Sequence, residues 1–323
     1  MFKKTLLALP VLALLAAPAA AASGGALSLV PENATTVGFV RVVDLRSNPF
    51  QLRVFEEADK LSSDGEGARF LAEAGLNLRE DVDSVLACTT ASDEGRGRSL
   101  VLFEGRFDPA RLAAAVAKRG AARHSVTGGE YFLLKDESHG SHGPGAVAFV
   151  SSHLVVAGSE PAVIAALSER AAGGTGFSSG KGLGRELHRL DPAATAWVLV
   201  DVEKSRRAAA SIRGGDGPAA GVVSALRSVS LIAMEATVES DALAVKATGL
   251  SSDEETRGLL EDTLRGLTAA WRLAAQEKSP QLVAVIRKFQ VSRDDEGVTI
   301  SGKLPGDLIR SLSAEARAHR GGK

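Results

Sequence analysis

LVPENATTVGFVRVVD, residues 29–44, and LDPAATAWVLVD, residues 190–201, are two versions of one pattern. Each opens on a proline-containing turn, passes an Ala/Thr lead-in and runs into a β-rich stretch ending in Asp, at Asp44 and Asp201. In the first, Val37 and Phe39 flank Gly38, and Val40 and Val42 flank Arg41. This partial alternation fits a strand better than a helix, because successive strand side chains point to opposite faces.

The echo continues downstream. Val82–Thr89 and Ser99–Glu104 read as paired strands, after which Asp108-Pro109 opens a helix ending at Gly120. In the second half Ser230–Glu239 and Ala242–Thr248 pair around Ser240-Asp241. A helix then starts at Ser252, with Ser252 and Glu255 forming a capping box. Its apolar stripe is Leu260, Leu264, Leu267 and Trp271.

A third unit closes each half. Tyr131–Lys135, Ala146–Val150 and Leu154–Ala157 are strand-like, and Ser159-Glu160-Pro161 caps a helix through Arg170. The counterpart is Phe289–Ser292 and Val298–Ser301 around Asp294-Asp295-Glu296-Gly297, then a helix carrying Leu308, Ile309 and Leu312. Short turns between strands mean antiparallel pairing, and helices between hairpins mean an α+β class. The expectation is therefore two similar α+β halves, each with antiparallel hairpins and packed helices. They span residues 23–172 and 185–320, joined by a Gly/Ser-rich linker at 173–184 and followed by a fraying tail at 321–323. Gly214-Gly215-Asp216-Gly217-Pro218 is a second flexible stretch. The pattern is compatible with separate domains or with one shared sheet; two packed lobes are the expectation.

Residues 1–22 read as a cleavable export signal: Lys3 and Lys4, an uncharged apolar run from Leu6 to Ala17, and small residues Ala19 to Ala22 for the peptidase. As a helix, Thr5 to Ala22 spans about 27 Å, short of a hydrocarbon core of about 30 Å, and no later run reaches spanning length. The expected location is periplasmic or extracellular. Cys88 is the one cysteine of the chain, so no intramolecular disulfide forms, and its apolar setting marks it as a core residue. The 323-residue chain carries a net charge of −1, and loss of the two leader lysines takes it to −3. Without a basic block, and with 4 % aromatic residues, nucleic-acid binding is not expected.

Four motif-like stretches lack their chemical context. Gly176-Phe177-Ser178-Ser179-Gly180 spells a nucleophile elbow, but no strand precedes it and only His188 and His319 follow. Ser178-Ser179-Gly180-Lys181 has neither companion motif of the serine acyl-transferases. As a phosphate loop it also fails, with Thr175 where Gly is needed and Gly182 where Ser or Thr is needed. His139 and His142, with His124 and His153, form the histidine set, but a Gly/Ser loop imposes no metal geometry. The acids at 252–255 and 294–296 lack calcium-loop spacing; the first suits a helix start and the second a turn. Asn33-Ala34-Thr35 is a sequon of little weight in a chain with a bacterial-type leader, and Lys204, Arg206 and Arg207 read as a solvated helix face.

The lead strand, GRFDPARLAAAV (Gly105–Val116) and VVAGSEPAVIAAL (Val155–Leu167) together resemble exported bacterial proteins assigned to domains of unknown function. The resemblance covers the first half best, about half of the mature chain. It implies a secreted or periplasmic α+β protein and supplies no activity and no site residues. No catalytic, cofactor-binding or metal residue is assigned. The expectation is a non-catalytic protein binding an envelope partner or ligand through its sheets or the groove between its lobes. The alternative is a hydrolase placing His124, His142 or His153 near a carboxylate and a nucleophile.

Overall fold

The computed structural model describes residues 24–46, 65–91, 98–134, 144–209, 229–276 and 280–311. The leader, His139 and His142, the 214–218 stretch, His319 and the 321–323 tail lie outside them, as do the side chains of Arg206 and Arg207.

The first half contributes β1 (Ala34–Arg41), β2 (Val82–Thr90), β3 (Arg98–Gly105), β4 (Ala122–Val126), β5 (Gly129–Leu133), β6 (Gly145–Ser151) and β7 (Leu154–Ser159). The second contributes β8 (Ala196–Asp201), β9 (Leu231–Glu239), β10 (Ala242–Leu250), β11 (Gln290–Arg293) and β12 (Gly297–Pro305). The helices are α1 (Gly65–Ala74), α2 (Pro109–Lys118), α3 (Glu160–Ala171), α4 (Val202–Ala209), α5 (Glu254–Gln276) and α6 (Pro280–Ile286). The class is α+β.

All these strands join one antiparallel sheet in the order β11-β12-β10-β9-β8-β1-β2-β3-β7-β6-β5-β4. Two packed lobes are therefore not what the chain builds. β1 is hydrogen-bonded on one side to β2 and on the other to β8, with Thr36 opposite Val200 and Val40 opposite Ala196. The two lead strands satisfy each other's outer backbone groups, which would otherwise be sheet edges. From that seam outward the halves follow one order, β1-β2-β3-β7-β6 one way and β8-β9-β10-β12-β11 the other, and the first half adds β5 and β4. β4 and α6 have no counterpart among the sequence expectations.

Alternation gives the sheet two working faces. On one, Val37, Phe39, Leu86, Leu100, Leu102, Val156 and Leu199 are packed under α3 and the segment around Phe177. On the other, α1 and α2 cover Val155, Val147 and Phe132, while Leu260 and Leu264 of α5 pack near Val298 and Ile232. The α5 stripe is buried only over the sheet: Leu260 is 2 % exposed and Trp271 48 %. Cys88 lies in the first core at 3 % exposure, and burial pushes its thiol up to about 12. Among the described residues no helix is long and apolar enough to cross a membrane.

Residues 173–184 do not behave as a loose linker. They form 3-10 turns at Gly176–Ser179 and, continuing to Arg189, from Gly182. Phe177 is wholly buried, and its amide donates to the Val30 carbonyl at 2.9 Å. Gly176, at φ 45°, lies so close to the Ser28 and Val30 carbonyls that no larger residue fits. Apolar anchors inside a glycine-rich stretch were enough to fold it against the core.

Two helix starts also differ from expectation. At α5 the cap is Asp253, whose Oδ2 accepts from the Thr256 amide at 2.6 Å, rather than Ser252 with Glu255. At α3 Ser159 occupies the cap position, yet its hydroxyl makes no capping bond and is buried without a partner. Asp108 caps α2 as its sequence predicts, accepting from the Ala110 and Arg111 amides at 3.0 Å each.

Candidate ligand-binding cleft

Three neighbouring strands share a pattern on the first face: Val37-Phe39-Arg41 on β1, Cys88-Leu86-Ser84 on β2, Leu100-Leu102-Glu104 on β3. The register pairs Arg41 with Ser84 and Ser84 with Glu104. At one end of the sheet the apolar rows thus give way to a row reading Arg, Ser, Glu. There Phe39, Arg41, Val43, Asp83, Ser84, Glu104, Gly105 and His153 line an open cleft with a cavity volume of about 320 Å³.

A β-bulge shapes it. Val82 faces Gly105 and Ser84 faces Glu104, so Asp83 is an extra residue on β2. Such bulges bend a strand and re-aim its side chains, and here Asp83 joins the lining. The bend brings the Asp81 carbonyl to within 1.9 Å of where a β-carbon on Gly105 would stand, so only glycine fits. Beyond it the chain is pinned: the Gly105 amide donates to the His153 carbonyl at 3.1 Å and Phe107 to Ser152 at 2.8 Å.

The polar groups are unequally committed. The Ser84 hydroxyl donates to Glu104 Oε2 at 2.6 Å. His153 Nδ1–H donates to the Gly105 carbonyl at 2.9 Å. Asp83 takes Arg46 Nη2 at 2.7 Å, and Arg46 also donates to the Arg79 and Val82 carbonyls, both at 2.8 Å. Arg41 differs. Its side chain is 23 % exposed, and Asp44 Oδ2 lies 2.8 Å from Nε. That approach is out of line, since the buried Nε makes no hydrogen bond. A guanidinium carries five N–H donors in a fixed fork, and among the described residues Arg41 donates none of them in a hydrogen bond. Of these donors Nε is the buried one, and the Asp44 carboxylate is the charge it faces.

The histidines among the described residues lie apart. His124, on edge strand β4, stacks on Tyr131 at 5.3 Å between ring centres; His153 lies in the cleft; His188 Nδ1–H donates to the Arg185 carbonyl at 2.6 Å. Among the described residues no group of three or more His, Cys, Asp or Glu is placed to hold a metal ion. Ser178 sits on a 3-10 turn after α3, with no strand before it. Lys204 pairs with Asp201 at 2.7 Å, and Asp294 Oδ1 accepts from the Glu296 and Gly297 amides, making the turn expected of it.

A second charged group ties the molecule together away from the cleft. Glu186, on the 3-10 turn, takes Arg185 Nε at 2.9 Å and Arg189 Nε at 2.6 Å. Arg189 continues to Glu296 at 2.5 Å in the β11–β12 turn. Burial opposes the charge on Glu186, but the hydrogen bonds from Arg189 and Arg185 outweigh it and hold its carboxyl below the ordinary range.

No protein-family model and no curated protein matches the chain. Among solved structures, crystal form III of TP0453 is similar, with a TM-score of 0.49 and 8 % identity over 90 % of this chain and 97 % of that one. Crystal form IV of TP0453 gives 0.48 and 9 % identity, over 88 % and 95 % of the two chains.

Proposed function

We propose that this is an exported, non-catalytic binding protein built from two duplicated α+β halves, and that the β1–β3 cleft takes its ligand. Arg41 carries the reading: a side chain 23 % exposed, ion-paired with Asp44 yet making no hydrogen bond, stands on the wall of a cavity, an arrangement suited to recognition. The cavity of about 320 Å³ lies at the lower end of the roughly 300–1,000 Å³ usual for small-molecule sites, which suits a small ligand or one terminal group of a larger partner. The common strand order of the two halves supports duplication. The leader, with Lys3, Lys4 and the apolar run to Ala17, supports a periplasmic or extracellular location. The composition gives no support to a nucleic-acid partner.

Isotope-labelled mature protein, titrated by NMR with a library of small carboxylates, amines and zwitterions, tests the binding reading. Shifts should cluster on Phe39, Arg41, Ser84 and His153 and vanish in Arg41→Gln. A library that moves no resonance of the cleft overturns the reading.

The hydrolase alternative has one observation in its favour, the presence of Ser84, Glu104 and His153 in the same cleft. Their bonding favours recognition: a nucleophilic serine needs its proton taken by a base that can pass it on. Here the Ser84 proton points at Glu104, and His153 is held by a backbone carbonyl. Hydrolysis of p-nitrophenyl esters should stay at background and be unchanged in Ser84→Ala; a rate that Ser84→Ala removes would establish the enzyme instead.

A further inference from the structure

We propose that α5 pairs with α5 of a second copy of this chain, side by side and antiparallel, through an exposed apolar stripe centred on Gly266. α5 has apolar residues on two of its sides. Leu260 and Leu264 belong to the side turned to the sheet. Leu259, Thr263, Gly266, Ala270 and Leu273 form a second stripe, about 110° round the helix at roughly 100° per residue. Leu259 is 60 % exposed and Leu273 66 %. The members follow one another at spacings of four, three, four and three, the repeat by which two helices pack along a shared seam. A helix side that meets only water ordinarily carries polar and charged residues, so exposed leucines in this order mark a contact surface.

The partner that fits is the same helix reversed. With Gly266 on a two-fold axis, Leu259 of one copy stands level with Leu273 of the other. Gly266 has nothing within 4 Å of where a β-carbon would stand, and with Ala270 beside it the two backbones can approach closely. The Thr263 hydroxyl donates to the Leu259 carbonyl at 2.7 Å, so its proton is spent within its own helix. Charge is arranged for the same pairing. One border of the stripe carries Glu255 and Asp262 in the N-terminal half of α5 and Arg265 and Arg272 in the C-terminal half, while the other border, with Leu267 and Ala274, is uncharged. Antiparallel helices set like border against like border, so the acids of each copy meet the arginines of the other. Arg265 is already paired with Glu261 at 2.6 Å, so Asp262 and Arg272 carry the complementarity. Both are exposed, and neither has an ion-pair partner among the described residues. In the two-fold pair Arg272 of the second copy lies level with Leu260, about 3 Å along the axis from Asp262 at roughly 1.5 Å per residue. A parallel pair would instead set the charged border of one helix against the uncharged border of the other. A lipid surface is less well matched, because helices lying on membranes carry mainly Lys and Arg on the polar side, and here two acids offset the two arginines.

Sedimentation equilibrium of the full mature chain over a micromolar concentration series tests the pairing. A single helix pair lies at the small end of specific interfaces, so the protein should pass from monomer to dimer within that series. Leu259→Ser and Leu273→Ser should each weaken the dimer at least about tenfold, because an isologous contact loses each removed side chain twice. Asp262→Arg and Arg272→Asp should each weaken it as well, and the variant carrying both should regain wild-type association. All four positions are exposed, so the circular dichroism and melting temperature of the variants should match the wild type at concentrations where every chain is monomeric. A chain that stays monomeric up to about 1 mM, or a dimer that the leucine variants leave intact, overturns the proposal. Failure of the double charge variant to restore the dimer overturns the antiparallel pairing. Co-sedimentation of a monomeric chain with phosphatidylglycerol vesicles, abolished by Leu259→Ser, would make the stripe a membrane face and overturn the second copy.

Discussion

Gly105 has no room for a methyl group: the Asp81 carbonyl would lie 1.9 Å from its β-carbon. Gly266, in the exposed middle of α5, has nothing within 4 Å. The same substitution should therefore have opposite signs at the two positions. Gly105→Ala should lower the unfolding free energy by roughly 1–3 kcal/mol, the usual cost of forced overpacking, and weaken binding by pushing β2 and β3 apart at the bulge. Gly266→Ala should raise it by roughly 0.5–1 kcal/mol, because alanine loses less backbone entropy in a helix. Urea denaturation of the two variants checks both signs. The cleft residues themselves were half legible. Arg41, Ser84 and Glu104 each follow two apolar residues at strand spacing, which marks a polar group on a core-facing row. Only the register shows that the three rows end at the same level, and register is fixed by pairing between strands far apart in sequence.

The helix starts separate capping that stabilises from capping in name only. The Asp108 side chain accepts two amides of α2, so Asp108→Ala should cost about 1 kcal/mol. The Ser159 hydroxyl at α3 is buried with no partner. Its removal in Ser159→Ala takes away an unsatisfied group, and stability should stay unchanged or rise; thermal unfolding of the two variants reads the contrast. Most elements were legible because their residues agree locally with their state. Strands β2, β3, β9 and β10 follow the alternating runs within about two residues, the usual uncertainty of boundaries. β4, Ala-Arg-His-Ser-Val, was not legible: as an edge strand with mainly exposed side chains it carries no apolar alternation. α6 was missed for the reverse reason, since Pro-Gln-Leu-Val-Ala-Val-Ile is a short apolar run that local pattern does not assign to helix or strand.

On the scale of the whole molecule, one continuous sheet and several charged ties should make the two halves unfold together. Asp253 is held below its ordinary range by the Thr256 side chain and amide, Asp294 by the amides of Glu296 and Gly297, and Glu186, against its burial, by Arg189 and Arg185. Each carboxyl has a folded-state pKa below its unfolded one. The stabilisation is complete above the ordinary values of 3.8 for Asp and 4.5 for Glu, and is withdrawn as pH falls past each folded-state value. Calorimetry should show one transition at neutral pH whose midpoint falls steadily once the pH drops below about 4.5. Glu186→Gln should flatten that dependence while lowering the midpoint at neutral pH. Two well-separated transitions at neutral pH would contradict the shared sheet.

The seam between β1 and β8 also sets a timetable for synthesis. β1 ends at Arg41 and β8 begins at Ala196, so a chain made from its N-terminus has its first strand long before that strand's partner exists. β2, β3, β7 and β6 can assemble on one side of β1 while its other backbone edge stays bare. Long-range pairings of this kind form late and leave an adhesive strand exposed in the interval. The middle of the finished sheet thus waits for the start of the second half, and the half-made chain is most in need of shielding along residues 34–41.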